Sequence, residues 1–428
     1  MADEASTRSS RSSRSSYGSD GSDSEVTIGE NAHHDMSVGD RLDRFTIVDR
    51  LGAGYFGTVW EAEADAGADA EREHADEAHA PESRVAIKVT RADPTYFEMY
   101  DTEIEIMQAL APHPNVLQLL DTFSFQGSHG GTHYALVLPF IDGGDLFTYL
   151  RAHLSRGERV PPALARRWSR QLFAGLAHLA DANIIHSDLK IENLLVSRAL
   201  NLTIADFGTA LREGGRLRLY GHTTQYRAPE VVLGNRFAKM TPAADVWSAA
   251  TICFELHMPR GYTLFDVEEV ECDEDGEECE DPPEFRTDAA HLGRMVSIFG
   301  DFGKRSVRKV RDHFSSKGVF RATPPPPTSL LAVFEEDGGG SREEGERLCA
   351  LLQPHFRYAP HQRASARSAL QHSFFHAFED GTQDERFSLD KAKEESPPAD
   401  ADAGHFGEAE AQGGTPAENG AQPTRPAT

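Results

Sequence analysis

Short apolar and β-branched runs dominate the chain from Arg44 to Phe140. Runs of this length, bounded by turn residues, predict strands. The four clearest are 45–51, 58–62, 84–89 and 134–138. One stretch between them, 98–110, has apolar residues every three or four positions and predicts a helix instead. This part of the chain is therefore expected to form a small unit built mainly of strands.

Beyond Asp142 the apolar spacing becomes helical. The clearest case runs from Pro162 to Ala180, with Pro in the first turn, where a helix tolerates it. Further helices are predicted at 242–257, 288–299, 344–353 and 364–371. A strand-rich unit followed by a helix-rich unit predicts an α+β fold of two lobes. The expected bounds are 44–139 for the N-lobe and 140–376 for the C-lobe.

The two ends of the chain have a different composition. Residues 1–40 are rich in Ser, Gly, Asp and Arg, and residues 379–428 are rich in Ala, Gly, Pro and Glu. Segments with so few large apolar residues cannot bury a core, so both are predicted to be disordered tails. An Arg-Ser-Ser triplet occurs three times between Arg8 and Ser16.

Acidic residues outnumber basic ones and concentrate in four segments. The 428 residues include 69 Asp and Glu against 43 Lys and Arg, a formal net charge of −26. The segments 1–40, 62–83, 266–284 and 379–428 carry −5, −7, −12 and −8, which leaves the remainder at +6. So acidic a chain is not expected to bind nucleic acid through a diffuse basic surface. The segments 62–83 and 266–284 are interpreted as acidic inserts of the two lobes.

The cysteines indicate a reducing compartment. Cys253, Cys272, Cys279 and Cys349 are too sparse for a disulfide scaffold and lack zinc-ligand spacing. The cytoplasm, the nucleus or both are therefore expected. No run approaches the roughly 18 apolar residues of a membrane helix, and the N-terminus has no apolar segment typical of a signal peptide.

A glycine-rich segment follows the first predicted strand. It reads Leu51-Gly52-Ala53-Gly54-Tyr55-Phe56-Gly57-Thr58-Val59. Glycines at this spacing let backbone N–H groups approach phosphate closely. A dinucleotide site would need a helix after the last glycine, whereas the residues after Gly57 predict a strand. A phosphate-binding hairpin and a purely structural glycine hairpin both remain open on this motif alone.

The next candidate is Lys88, which ends the apolar run Val85-Ala86-Ile87. An ammonium group inside a lobe needs an anionic partner, and triphosphate oxygens or a helix carboxylate would provide one. Glu103 lies on the face of the predicted helix that also carries Met107 and Leu110, and Glu105 is the alternative. A Lys at a strand end can also be an ordinary surface residue.

Two later segments carry the most specific pattern. Residues 185–195 read Ile-His-Ser-Asp-Leu-Lys-Ile-Glu-Asn-Leu-Leu, and residues 202–208 read Leu-Thr-Ile-Ala-Asp-Phe-Gly. Further matches are Tyr-Arg-Ala-Pro-Glu at 226–230, Asp-Val-Trp-Ser at 245–248, and Arg363. In this order these motifs resemble the catalytic loop, the Asp-Phe-Gly motif and later landmarks of the protein kinases. The resemblance spans roughly residues 44–375 and implies the bilobal protein-kinase fold.

The chemistry of phosphoryl transfer then suggests roles for these residues. Asp188 is expected to accept the proton of the substrate hydroxyl, and Lys190 is expected to contact the γ-phosphate. Asn193 and Asp206 offer oxygen ligands of the kind Mg²⁺ prefers. ATP and Mg²⁺ are therefore the expected cofactors.

The resemblance also implies nucleotide contacts from the glycine loop, Ala86 and the segment joining the lobes. Leu138 would be the gatekeeper, the Pro139 carbonyl would accept from the adenine amino group, and the Ile141 N–H would donate to the ring. Proline fits at 139 because only its carbonyl is needed. Asp145 would contact the ribose.

Structural roles follow for three further residues. Glu230 and Arg363 resemble the family's buried ion pair. Asp245 is expected to bind backbone N–H groups of the catalytic loop. A second Asp-Phe-Gly, at 301–303, follows a predicted helix and is interpreted as a turn.

Several departures narrow the resemblance. Ser187 stands where many protein kinases have an Arg that pairs with a phosphorylated residue, so no such switch is expected. Tyr226-Arg227 is typical of the CMGC group, although Thr224 replaces its usual Arg, and the stretch 261–300 looks like the CMGC insert region. Together with His186-Ser187-Asp188, these features are most similar to the serine/arginine protein kinases.

This resemblance implies a serine/threonine kinase whose partners are basic, Arg/Ser-rich proteins, and the kinase is expected to be a monomer. The acidic run 266–284 could attract such peptides, or it could be a solvated loop. The Arg-Ser-Ser repeat could be an intramolecular substrate or a flexible tail. A preference for Ser-Pro would instead indicate another CMGC branch, and a pseudokinase scaffold, suggested by Ser187 and Ile191, is the alternative to an enzyme.

Overall fold

A computed structural model describes residues 34–54, 57–65, 84–94, 97–128, 130–215, 223–234, 239–266, 283–302 and 324–376. Several sequence predictions fall outside these ranges. They are most of the tail 1–40, the greater part of the inserts 62–83 and 266–284, the tail 379–428, the loop residues Tyr55 and Phe56, and Cys272 and Cys279.

A six-stranded antiparallel sheet forms the N-lobe. Its strands are β1 (Arg41–Leu42), β2 (Phe45–Gly54), β3 (Gly57–Ala64), β4 (Arg84–Thr90), β5 (Asp121–Gln126) and β6 (Thr132–Pro139), in the order β1-β2-β3-β4-β6-β5. Helix α1 (Phe97–Ala109) follows β4 and buries Met99, Glu103 and Ile106. The four predicted strands and the predicted helix are thus present, with slightly different ends.

The two faces of this sheet differ because successive side chains along a strand point to opposite sides. One face carries a buried apolar cluster that includes Phe45, Ile47, Trp60, Ile87 and Val137. The intervening positions face the other way. Register pairs Val59 with Lys88 and Ala86 with Leu138, so these four side chains lie on the opposite face, toward the cleft.

Strand β5 and helix α2 (Leu146–His153) are among the elements that were not predicted from the sequence. Strand β5 is largely half-exposed and offers only Phe123 and Phe125 as apolar signals. Helix α2 is eight residues long and begins at Asp145, whose carboxylate accepts a hydrogen bond from the Thr148 N–H at 2.8 Å. Short elements stabilised by neighbouring strands or by one capping bond leave little periodicity to detect.

The C-lobe is mainly helical. Its helices are α2, α3 (Pro162–Asp181), α4 (Pro229–Gly234), α5 (Ala243–Leu256), α6 (Pro283–Phe299), α7 (Leu330–Glu336), α8 (Arg342–Leu352) and α9 (Ala366–Ala369). Short strands β7 (Ile184–Ile185), β8 (Leu194–Val196), β9 (Leu202–Ile204) and β10 (Leu211–Arg212) pair as β7–β10 and β8–β9. This α+β, two-lobed architecture is the fold class predicted from the sequence.

Helix α5 lies at the centre of the C-lobe. Nearly all of its residues are buried, and it packs against α3. A helix with apolar residues on most of its sides is expected in the interior of a domain. None of the helices in the part of the chain that the structure describes is long and apolar enough to cross a membrane.

The connection between α1 and β5 ties the lobes together. The Ile204 N–H donates to the Asn115 carbonyl at 2.9 Å, and the Leu117 N–H donates to the Ile204 carbonyl at 2.9 Å. The Asn115 side-chain amide also donates to the Leu202 carbonyl at 2.7 Å. Strand β9, which leads directly to Asp206, is thereby fixed relative to the N-lobe.

The second Asp-Phe-Gly was interpreted from the sequence as a turn, and its Gly303 lies outside the described residues. It follows α6, and the ring of Phe302 stacks on Tyr358 with centroids 3.8 Å apart. The Tyr358 hydroxyl lies 2.9 Å from the Met295 carbonyl and 2.8 Å from the Gly300 carbonyl. This Phe therefore packs in the C-lobe core.

Candidate active site

The glycine loop joins β2 and β3 as a hairpin. Gly54 pairs with Gly57, and β3 continues from Gly57 as a strand, which rules out the dinucleotide-binding arrangement. A Cβ atom on Gly57 would lie 2.2 Å from the Val89 carbonyl oxygen, so glycine is required there by packing. No described atom lies within 4 Å of a Cβ built on Gly52 or Gly54. Protein packing does not require glycine at those two positions, whereas close approach of a phosphate would.

The residues predicted to contact the nucleotide do not all point into the cleft. Val59, Ala86 and Leu138 lie on the cleft face, and Pro139 and Ile141 follow where the chain crosses between lobes. Leu51 and Ala53 are exposed on the loop. Thr58 differs, because its hydroxyl accepts from the Trp60 indole N–H at 2.8 Å on the opposite face. Any contact of Thr58 with a nucleotide must therefore use its backbone.

Asp145 lies at the start of α2, where its carboxylate caps the helix. One oxygen accepts from the Thr148 N–H, so only the other is open to a ligand. Its contact with ribose stays a prediction from the resemblance.

Lys88 lies between two carboxylates. Its ammonium is 2.7 Å from Glu103 Oε1 and 2.8 Å from Asp206 Oδ1. Glu103 is 2% exposed and Asp206 is 46% exposed, so one partner belongs to the interior and the other faces the cleft. Glu105, the alternative partner, is exposed on α1. The two ion pairs of Lys88 thus link β4, α1 and the Asp-Phe-Gly turn.

These contacts fix the charges of the cluster. Burial alone would lower the pKa of Lys88, but Asp206 and Glu103 outweigh it and raise the pKa above its usual value. Against the opposing effect of burial, the Lys88 ammonium lowers the pKa of Asp206 to about 2. At neutral pH the cleft therefore presents a charged ammonium beside an ionised carboxylate.

The catalytic loop brings Asp188, Lys190 and Asn193 together. Lys190 Nζ is 3.3 Å from Asp188 Oδ2, and the Asn193 amide donates to the Asp188 carbonyl at 2.8 Å. The Asp188 side chain is 14% exposed. The Ala205 N–H donates to the Asn193 carbonyl at 2.9 Å, so this loop also adjoins the residue before Asp206.

Asp245, in the first turn of α5, binds the backbone of the catalytic loop. Its two carboxylate oxygens accept from the N–H groups of His186 at 2.7 Å and Ser187 at 2.9 Å. This is the contact predicted for Asp245 from the sequence. The buried ion pair of Glu230 and Arg363 is also present, with two bonds of 2.8 Å.

The donor atoms left open in the cleft suit a hard divalent cation. Asp206 uses Oδ1 for Lys88 and for the Gly208 N–H, and the described residues give Oδ2 no partner. Asn193 donates through its amide nitrogen, which leaves its Oδ1 as an acceptor. An exclusively oxygen donor set is the kind that Mg²⁺ and similar ions prefer.

Sequence reasoning missed one residue in contact with the candidate base. Both the backbone N–H and the hydroxyl of Thr223 lie 2.9 Å from Asp188 Oδ1. These two donors fix the carboxylate and leave Oδ2 toward Lys190. Thr223 lies 35 residues from Asp188 along the chain, and a separation of this length gives no signal of contact in the sequence.

The segment after Thr223 is attached to the C-lobe through a partly buried carboxylate. Glu255 Oε2 accepts from the Tyr226 hydroxyl at 3.2 Å, and Oε1 accepts from the Leu264 N–H at 2.9 Å. Burial raises the pKa of Glu255 to about 8. The carboxyl therefore remains largely protonated at neutral pH.

Replacing Glu255 by Gln should stabilise the protein at alkaline pH. Because an unfolded Glu titrates near 4.3, wild-type stability falls as the pH rises from there to about 8, where folded Glu255 ionises. Gln can keep both hydrogen bonds and carries no charge. Thermal melts should show that the advantage of Glu255→Gln grows from pH 5 to pH 9. An equal difference at both pH values would contradict the raised pKa.

Comparison with known proteins accounts for this geometry. A family model of the protein kinase domain matches residues 45–375. The chain belongs to the protein kinase family. Kinases of this family use ATP and a divalent metal ion and act on proteins, which agrees with the open oxygen donors of Asp206 and Asn193.

Relatives of this kinase include enzymes of the groups that the motifs indicated. It is 26% identical to the serine/threonine-protein kinase SRPK of Physarum polycephalum, over 81% of this chain and 89% of the relative. It is 31% identical to cell division control protein 2 homolog 3 of Trypanosoma brucei brucei, over 78% and 93%. It is 32% identical to cell division control protein 2 homolog D of Antirrhinum majus, over 52% and 68%.

These matches confirm the resemblance drawn from the motifs. The chain is a protein serine/threonine kinase, and its relatives include kinases of the CMGC type. The comparisons lend no support to the pseudokinase alternative.

Proposed function

We propose that this kinase transfers the γ-phosphoryl group of ATP, with Mg²⁺ as the metal, to Ser or Thr in Arg/Ser-rich or otherwise basic proteins. Oxygen donors at Asp206 and Asn193 favour Mg²⁺ over softer metals. The observation that carries the substrate class is the acidic run 266–284, which joins the described structure beside the segment that contacts Asp188. As part of the same proposal, the kinase acts as a monomer in the cytoplasm or nucleus, without direct nucleic-acid binding.

The catalytic loop supports proton transfer from a substrate hydroxyl. Thr223 orients Asp188 through Oδ1. Among the described residues, Oδ2 accepts only a long bond of 3.4 Å from the Asn193 amide, so it is the oxygen that would accept the proton. Lys190 lies beside that oxygen, where its charge also favours the phosphate oxygens. Lys88 adds a second fixed positive charge in the cleft. The bound metal ion would supply further charge neutralisation, and these residues provide position and electrostatics.

Both ends of the acidic run are attached near Thr223. On one side, Leu264 binds Glu255, which in turn binds Tyr226. On the other side, α6 contacts Arg227 twice: Asp288 lies 3.6 Å from its guanidinium, and His291 Nε2 lies 3.1 Å from its carbonyl oxygen. Twelve carboxylates between these two points would raise the local concentration of a cationic peptide.

A peptide panel combined with charge neutralisation tests this proposal. Six acids of the run, Glu268, Glu269, Glu271, Asp273, Glu274 and Asp275, are changed to Gln or Asn. We expect Arg-Ser peptides to be preferred over Ser-Pro and acidic peptides, with Mg²⁺ required. In the variant, KM for the Arg-Ser peptide should rise about tenfold at low salt, because electrostatic steering is lost. The difference should shrink as salt screens the wild-type run.

The chain provides a matched control in its other acidic insert. Neutralising Asp69, Glu71, Glu73, Asp76, Glu77 and Glu82 changes the net charge equally. This control should leave KM unchanged. Equal effects of the two variants would assign the preference to overall charge, and no effect of either would make 266–284 a solvated loop. A preference for Ser-Pro would overturn the proposed substrate class while leaving the kinase activity intact.

A further inference from the structure

The catalytic loop and the residue after Asp-Phe-Gly exchange two buried hydrogen bonds. The Ser187 hydroxyl donates to the Thr209 carbonyl at 2.7 Å. In return, the Thr209 hydroxyl donates to the His186 carbonyl at 3.2 Å. Ser187 is fully buried and Thr209 is 8% exposed. Because water cannot replace these bonds, losing either donor would leave a buried carbonyl with one bond fewer.

His186 fixes the other end of the same turn. Its Nδ1 accepts from the Asp188 N–H at 3.3 Å, so its Nε2 carries the proton and donates to the Ala205 carbonyl at 2.8 Å. The imidazole also packs against Phe207, with ring centroids 5.2 Å apart. The Asp-Phe-Gly turn is therefore bonded before Asp206 by His186 and after Gly208 by Ser187.

Two backbone conformations make this bonding necessary. Ser187 has φ 67° and Asp206 has φ 63°, both in the left-handed region that residues with a Cβ rarely adopt. Such conformations persist only where the surroundings determine them. Asp245 binds the Ser187 N–H, but Asp206 depends on contacts on either side of its own turn.

We propose that Ser187 and Thr209 are a positioning pair for the metal-binding carboxylate of Asp206. Their exchanged bonds keep the turn in the conformation in which Asp206 faces the cleft and meets Lys88. The inference rests on the proposed role of Asp206 as a metal ligand. It assigns to Ser187 a function in metal and nucleotide binding that does not involve the peptide.

Hydroxyl deletion at Ser187 tests the pair. In the full-length kinase, Ser187→Ala removes the donor and keeps the backbone strain, whereas Ser187→Gly removes the donor and relieves the strain. The Kd for Mg²⁺, measured by calorimetry in the presence of ADP, should rise about tenfold in both. KM for the peptide should change less than about twofold, and amides 206–210 should exchange hydrogen faster. If Ser187→Gly binds Mg²⁺ like wild type, backbone geometry alone is responsible and the proposal fails.

Two further comparisons separate positioning from general stability. Ser297→Ala removes another buried hydroxyl, which donates to the Pro326 carbonyl at 2.6 Å in the C-lobe, and should leave Mg²⁺ binding unchanged. Thr209→Val should weaken Mg²⁺ binding while Thr209→Ser should retain it, which also covers the case in which Ser187 variants do not fold. Equal weakening by Ser297→Ala, or wild-type binding by Thr209→Val, would overturn the proposal.

Discussion

Replacing Asp188 by Asn should lower kcat for peptide phosphorylation by about 10²–10⁴-fold, the usual contribution of a positioned general base. Asn has the same shape, and its oxygen can still accept from the Thr223 N–H and hydroxyl, which lie 2.9 Å from Oδ1. The amide cannot take up the proton of a substrate hydroxyl, however. The loss should therefore appear in kcat, whereas KM for the peptide and the Kd for ADP with Mg²⁺ should remain within a few-fold of wild type.

Nucleotide binding and a control variant make this result interpretable. Asp188→Asn should melt close to the wild-type temperature and bind ADP, which excludes unfolding as the cause. Asp181→Asn removes an exposed carboxylate that pairs with Arg367 and should leave kcat unchanged. An Asp188→Asn kinase that retains more than a tenth of the wild-type kcat would show that Asp188 is not the proton acceptor.

The sequence predicted those parts of the site that depend on local order. Lys88 lies within β4 and Asp206 follows β9, and Asp188, Lys190 and Asn193 lie within six residues. These groups were assigned because their order and spacing resemble the motifs of the protein kinases. The choice of Glu103 over Glu105 succeeded through periodicity, since helical spacing places Glu103 with the buried residues of α1.

Contacts made by distant residues could not be predicted in this way. Thr223 binds Asp188, and Thr209 binds His186, because two loops meet in the folded lobe. Neither contact has a periodic signal. Thr58 is a further case that the sequence motif could not settle. The glycine motif suggested that Thr58 contacts the nucleotide, but the alternation of side chains along β3 turns its hydroxyl away from the cleft, toward Trp60. Strand β5 was missed because pairing with β6 stabilises a run with little apolar character of its own.

Replacing Arg363 by Met should lower the free energy of unfolding by about 3–5 kcal/mol, the usual effect of breaking a buried ion pair. The Arg363 side chain has no exposed surface and forms a two-bond pair with Glu230, each bond 2.8 Å long. It also donates to the carbonyls of Ala243 and Arg357. The loss would be a large part of the roughly 5–15 kcal/mol that stabilises a typical domain.

The substitutions at the two ends of this pair should differ in size. Glu230→Gln keeps an acceptor for Arg363 and should cost about 1–3 kcal/mol, whereas Arg363→Met leaves a partly buried carboxylate and several carbonyls without donors. In the Arg363→Met background, adding Glu230→Gln should leave the free energy of unfolding unchanged or raise it, because this second substitution removes the unpaired carboxylate charge. Urea denaturation of both single variants and the double variant measures this coupling.

An exposed ion pair on α8 provides the control for that experiment. Arg342 pairs with Glu335 and Glu346 and is 66% exposed, so Arg342→Met should change stability by less than about 1 kcal/mol. Equal costs for Arg342→Met and Arg363→Met, or strictly additive effects of Glu230→Gln and Arg363→Met, would contradict the role of this pair. Arg363 binds Glu230 at the start of α4 and the carbonyl of Ala243, the first residue of α5. The coupling energy between Glu230 and Arg363 therefore measures how firmly the segment that precedes α4, which contains Thr223, is attached to the C-lobe.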